Sequence, residues 1–384
     1  MFINSMAILV IIAMAVAAAT GYWRLLFAPF RIPTAKMTVA KLELQVSDPR
    51  DVARINGVLA NFAAGFNRMI TARSEVDWRN YLDSLPDIFK PFAHEGAAMG
   101  YELRRVFGLL RLPPRIGFEA ARFERDIVRA EPGMRYLYYV GVGFWAGMMN
   151  ESAAKVQRRA ERLDPLHRYL LFDGYGFKVA FFDYPSDPAA LKGLHQFTGY
   201  ARRAAFQGAG RALYFRHMDS PETLIERVQD LGEYAVDAAS GLGLASVFVN
   251  PDRLDKSQNL GRRLPAAWQP DFHLGMCFAL KARIINDPSL FDQFTEKLTP
   301  DVRNAVLSAI RECDRVELHI RSESTTDGYR EWRKRVTAWL SDHVAFPMAR
   351  ICSTPKPTGD SSTDRAIDEK NFKLTEHAEV SNHD

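Results

Sequence analysis

A small-residue pattern recurs along this chain at nearly constant spacing, and it constrains the fold more than any other feature. The segments centre on Gly96 (EGAAMGYEL), Gly141 (GVGFWAG), Gly174 (GYGFKVAFF), Gly208 (GAGRALYF), Gly241 (GLGLASVF) and Gly275 (GMCFALKAR), at intervals of 45, 33, 34, 33 and 34 residues. A weaker member, AAGFNRMI from Ala63, lies 33 residues before Gly96, and the one long interval holds LLRLPPRIGF, whose paired prolines read as an inserted loop. Taken alone, RYLLFDGYGFKVAFF (Arg168 to Phe182) resembles a strand entering a phosphate loop. Val179 occupies the third small position of such a loop, and one chain does not normally carry several dinucleotide fingerprints. A fixed period in the low thirties is instead the mark of a helical repeat, in which each unit buries its apolar face against its neighbours.

The helix starts carry the same message. A capping residue followed by proline recurs at Asp48-Pro49, Asp164-Pro165, Asp187-Pro188, Ser220-Pro221, Asp287-Pro288 and Thr299-Pro300. The cap accepts from a free first-turn N–H, and proline stands where its missing donor costs nothing. From Asp187 and Ser220 the next glycine pattern lies 21 residues downstream, room for a helix, a turn and the start of a second helix. The expected fold is mainly α: helical hairpins repeating every 33 to 34 residues, with the small residues on contacting helices. Two short strands are expected at its flanks, KLELQV (Lys41 to Val46) and RVELHI (Arg315 to Ile320), which alternate polar and apolar residues and could pair to join the ends of the array. EWRKRVTAWL (Glu331 to Leu340) reads either as a helix covering the end of the array or as an interfacial amphipathic helix.

The amino terminus has a separate logic. Met1 to Trp23 carries no charged side chain, and the first basic residues, Arg24, Arg31, Lys36 and Lys41, follow the apolar run instead of preceding it. That asymmetry favours a single amino-terminal transmembrane anchor over residues 1–30, on the inner membrane with the body cytoplasmic, over a cleaved signal. The helical-repeat domain then spans 31–350, and 351–384 is a polar tail whose composition predicts disorder. The formal charge of +4 divides into about −3 on the tail from Ser353 and about +7 on the rest, which lacks the dense basic stripe of a nucleic-acid binder. Cys277, Cys313 and Cys352 show no metal-type spacing, and the sequence names no cofactor.

Candidate chemistry sits beside the glycines. The residues just before them are Glu95, Val140, Asp173, Gln207, Ser240 and Leu274, so Glu95, Asp173 and Gln207 share one place in the period. Two carboxylates and an amide in an apolar lining would form a catalytic group, because burial raises a carboxyl pKa toward neutrality. His94, Tyr175, Lys178 and Arg211 are near in sequence and become candidate substrate-binding residues. The bland alternative is that each polar group caps a helix or bonds a carbonyl. No HExxH, nucleophile elbow or Walker loop is present, so no metal ligands are assigned.

The ordered segments FAHEGAAMGYEL, LDPLHRYLLFDGYGFKVAFF, FQGAGRALYF and SGLGLASVF resemble the UnbL-type family of enediyne biosynthesis-associated proteins, a domain of unknown function, over about Asp48 to Ile285. The family's genes lie beside the iterative polyketide synthase in enediyne clusters, and it brings no assigned catalytic residues. The resemblance implies an auxiliary protein of polyketide or polyene biosynthesis; taken with the amino-terminal anchor, the expected partners are the membrane, a hydrophobic small molecule and membrane proteins of the same pathway. A non-catalytic scaffold and a carrier of a lipid-like ligand are the alternatives; an enclosed apolar cavity would favour the enzyme or the carrier, an open aromatic groove the scaffold.

Overall fold

The structure is a computed structural model, and it describes residues 27–72, 75–109, 132–323 and 327–343. The expected anchor lies almost wholly outside the described residues, as do the tail and the inserted loop. Among the described residues the chain is mainly helical, and no helix is long and apolar enough to cross a membrane.

Seven helices carry the small-residue segments and follow one another in space as in sequence. They are α1 (Pro49–Thr71), α3 (Lys90–Leu109), α4 (Arg135–Met148), α6 (Leu170–Lys178, prolonged by a π turn over Val179–Asp183), α7 (Tyr200–Arg216), α9 (Ala235–Val249) and α11 (Gln269–Asn286). Each lies against the next. Between them run shorter pieces: α2 (Glu75–Asp83), α5 (Ala153–Ala160), a 3-10 stretch over Pro188–Gln196, α8 (Pro221–Gln229) and α10 (Leu254–Arg263). Then come α12 (Pro288–Thr295), α13 (Pro300–Glu323) and α14 (Gly328–His343), the last two against α11 and each other. Several of the capping dipeptides act as expected: Asp48 accepts from the N–H of Arg50 at 2.9 Å and Asp287 from that of Leu290 at 2.9 Å, whereas the Ser220 side chain makes no capping hydrogen bond.

The glycines let the backbones touch. A methyl group on Gly96 would overlap the carbonyl oxygen of Phe62; on Gly141, that of Glu95; on Gly174, Val140; on Gly208, Asp173; on Gly241, Gln207; on Gly275, Ser240. Each first small residue thus abuts the carbonyl just before the corresponding residue of the preceding helix. From Gly96 to Gly100 along α3 the facing residue on α1 moves from Phe62 to Phe66 and Ile70, so these helices run in the same direction. Glycine costs roughly 1 kcal/mol relative to alanine inside a helix. Close backbone approach and the dense core around it offset that cost.

Both expected strands are corrected. Arg315 to Ile320 lies inside α13, where Val306, Ala309, Ile310, Cys313, Val316 and Ile320 are buried at helical spacing and Leu318, the middle apolar residue of the supposed strand, is 70% exposed. The six-residue alternation was a fragment of a longer 3.6-residue period. Lys41 to Val46 is a turn followed by chain with no regular secondary structure. Its Leu44 and Val46 are buried, but Gln45 pairs with the end of α7: its N–H donates to the Arg216 carbonyl at 2.8 Å and its carbonyl accepts from Asp219 at 3.2 Å. α14 covers the array, with Trp332, Arg333, Val336 and Leu340 buried.

Candidate functional site

Three of the residues that precede the glycines meet around an arginine, which binds two of them while the third binds one of those two. Glu95 comes from α3, Asp173 from α6, and Gln207 and Arg211 from α7, one turn apart and therefore on one face. The backbone of each carboxylate is held by the next glycine-bearing helix, Glu95 by Gly141 and Asp173 by Gly208. Arg211 donates through Nη1 to Asp173 Oδ1 and through Nη2 to Glu95 Oε1 at 3.3 Å. Gln207 Nε2 donates to the second Asp173 oxygen at 2.8 Å. The Gln207 carbonyl oxygen accepts from Arg333 Nη1, which also donates to Ser240 Oγ at 3.1 Å, and Arg333 Nη2 reaches Asp271 at 3.4 Å. Tyr329 Oη stands 3.3 Å from Gln207. A buried polar chain thus crosses the array from α3 to α14.

The two carboxylates are not equivalent. Asp173 is fully buried and both its oxygens are taken, one by Arg211 and one by Gln207. Glu95 has only the longer contact to Arg211. Burial pushes its carboxyl up from an ordinary 4.5 to about 7; Arg211 opposes the rise and the negative charge of Asp173 adds to it. Arg211 itself is raised: burial would lower it, but the two carboxylates outweigh burial. At the far end of the chain, burial pushes Asp237 up to about 6 against the pull of Arg333 and Arg203.

Beside this group opens a cavity of about 240 Å³. Glu95, Asp173 and Arg211 stand in its wall, and the lining is otherwise largely apolar, with Val140, Leu170, Leu244, Phe248, Phe278 and Trp332. Lys281, Glu317 and Arg321 add charge, and they pair with one another: Lys281 with Glu317 at 2.9 Å and Arg321 with Glu317 at 2.9 Å.

The structure brings Glu95, Asp173, Gln207 and Arg211 together and leaves the other three candidates elsewhere. His94 is buried with Nδ1 2.7 Å from Tyr138 Oη and its ring edge-on to Trp78; burial drives its pKa down to about 3, so the ring is neutral. Tyr175 Oη accepts from Gln196 at 3.2 Å, and Lys178 pairs with Asp183 at 2.8 Å. None of the three lines the cavity. Tyr175 and Lys178 are two and five residues beyond Asp173, which turns them to other sides of α6. Sequence reasoning missed Leu244, Phe248 and Phe278, although a signal existed: they follow Ser240 and Leu274 by one or two turns, as Arg211 follows Gln207. Tyr329, Trp332 and Arg333 lie beyond the periodic region and carried no such signal. Among the described residues no cluster of three or more His, Cys, Asp or Glu could hold a metal ion.

A row of closely packed helices, crossed by a buried charged chain beside a largely apolar cavity, defines a mainly helical protein with a small-molecule-sized site. The chain belongs to the family described as "Protein of unknown function (DUF1702)", whose model matches residues 23–340. No curated protein and no solved structure matches it.

Proposed function

We propose that this protein acts on, or holds, a long apolar intermediate as a membrane-associated auxiliary protein of enediyne-type polyketide or polyene biosynthesis. The observation that carries the reading is the cavity of about 240 Å³ with apolar walls and Glu95 in its lining. A carboxyl titrating near 7 exchanges protons at neutral pH, and its acid form donates to a ligand oxygen without bringing a second negative charge beside Asp173. Asp173, itself fixed by Gln207, holds Arg211, and Arg211 orients Glu95. The pathway rests on the resemblance of the four segments to the UnbL-type family, and the helical-repeat reading on the recurring glycine junction.

The test is complementation of a deletion strain, following protein abundance and metabolite together. Glu95→Gln is expected to accumulate normally and to lower metabolite by about a hundredfold or more, the scale of general acid–base catalysis. Full metabolite from Glu95→Gln would remove the catalytic reading; if Ala279→Leu, which fills the cavity, then abolished metabolite in a folded protein, the carrier reading would replace it. The uncharged Met1 to Trp23 stretch supports the membrane association, and recovery of the full-length chain in the soluble fraction would overturn it.

A further inference from the structure

The reading of the cavity as a site for a long apolar molecule leaves open where that molecule carries its polar atom, and a second cavity bears on this. A smaller space of about 40 Å³ shares Glu95, Arg211, Leu244 and Phe248 with the walls of the larger one. Beyond that partition its lining is hydrocarbon, including Phe62, Phe144, Phe177, Phe182 and Ala245. The Arg211 guanidinium lies over the Phe177 ring, 5.1 Å from its centroid, and so borders the smaller space. Its Nη atoms are engaged by Asp173 and Glu95, but its buried Nε–H has no acceptor, in a residue only 6% exposed. A buried donor left without a partner is costly, and native structures rarely keep one without a use. The polar groups therefore stand between two apolar compartments instead of at the closed end of one.

We infer that the ligand carries its oxygen inside the chain, as a ketone or comparable carbonyl with hydrocarbon on both sides, and that this oxygen accepts the Nε–H of Arg211. The smaller space, about 40 Å³ against the roughly 10 to 15 Å³ that one water-sized group needs, takes an arm of about three carbons. The longer arm lies in the larger cavity. Glu95 in its acid form supplies a second donor to the same oxygen. A terminal alcohol or carboxylate has hydrocarbon on one side only and leaves one compartment unfilled.

Calorimetric titration of the full-length protein with the straight-chain undecanones, carbonyl at carbon 2 through carbon 6, tests this directly. The carbon 4 isomer, with a propyl short arm, is expected to bind most tightly, and affinity should fall about fourfold for each methylene that loses its place. Ala245→Leu narrows the smaller space and should move the optimum toward carbon 2, and Phe182→Leu widens it and should move the optimum toward carbon 5. A flat profile, no binding of any isomer, or an optimum unmoved in whichever variants fold would overturn the inference. A flat profile together with lost metabolite in Glu95→Gln would leave the proton-exchange reading standing. A peaked profile with normal metabolite in Glu95→Gln would do the opposite.

Discussion

Glu95 and Asp173 hold corresponding places in the sequence, yet their surroundings give them different chemistry. Asp173 is saturated by Arg211 and Gln207, whereas Glu95 is buried with one distant donor and titrates near 7. The raised value has a consequence for stability. Between about 4.5, where the unfolded carboxyl titrates, and about 7, where the folded one does, the folded protein holds a proton that the unfolded chain has released. Stability therefore falls as pH rises through that window and levels off above it. The shift corresponds to a loss on the order of 3 kcal/mol. Urea unfolding at pH 5 and pH 8 should show it, and Glu95→Gln should remove most of the difference. Asp237, raised to about 6 by burial, acts in the same direction and should account for much of what remains. A pH dependence identical in wild type and Glu95→Gln would mean that Glu95 is ionised across the whole range.

The helix junctions depend on having no Cβ, and this can be tested one position at a time. A methyl group on Gly208 would overlap the Asp173 carbonyl, so Gly208→Ala must push α7 away from α6 and shift Asp173 and Gln207 with it. The expected loss is about 1 to 3 kcal/mol, read as a lower melting temperature. Gly193→Ala, in an exposed 3-10 stretch with nothing within 4 Å of the added methyl, should stay within about 0.5 kcal/mol of wild type. Equal melting temperatures for the two variants would rule out close packing as the role of Gly208. The same junctions explain what was legible in the sequence. Spacing alone placed Gly174, Gly208 and Gly241 on helices that touch, and it placed Glu95, Asp173 and Gln207 where one arginine could reach the first two. It could not reveal that α14 would supply Tyr329 and Arg333, because that contact joins residues 122 and 126 apart and is set by tertiary packing, not by a local period. The six-residue windows at Lys41 and Arg315 were too short to separate alternation from a helical face; burial of Val316 and Ile320 with Leu318 outside decides the second.

At the scale of the whole array, the first helix meets late ones as well as its neighbour, which changes how the protein should unfold. Asp51, at the start of α1 and 1% exposed, binds Lys256 and, at 3.1 Å, Arg253 at the start of α10. Arg54 donates to the Val249 carbonyl at 3.1 Å, and Arg283 of α11 donates to the Ile88 carbonyl at 3.1 Å. In an open repeat each unit touches only its neighbours, so local damage can stay local. Here a cut at the α1 junction removes support from α9 and α10 too. Asp51→Ala should lower stability by about 2 kcal/mol, less than the 3 to 5 kcal/mol typical of orphaned buried charge. The difference arises because Lys256 keeps Asp219 at 3.1 Å and Arg253 keeps Asp48 at 3.5 Å. The expected calorimetric trace is a single transition moved down by a few degrees. Hydrogen exchange should show α1, α9 and α10 losing protection together. A split into two transitions, or lost protection confined to α1, would mean that the array behaves as an open row and that these contacts between early and late helices contribute little to its cooperativity.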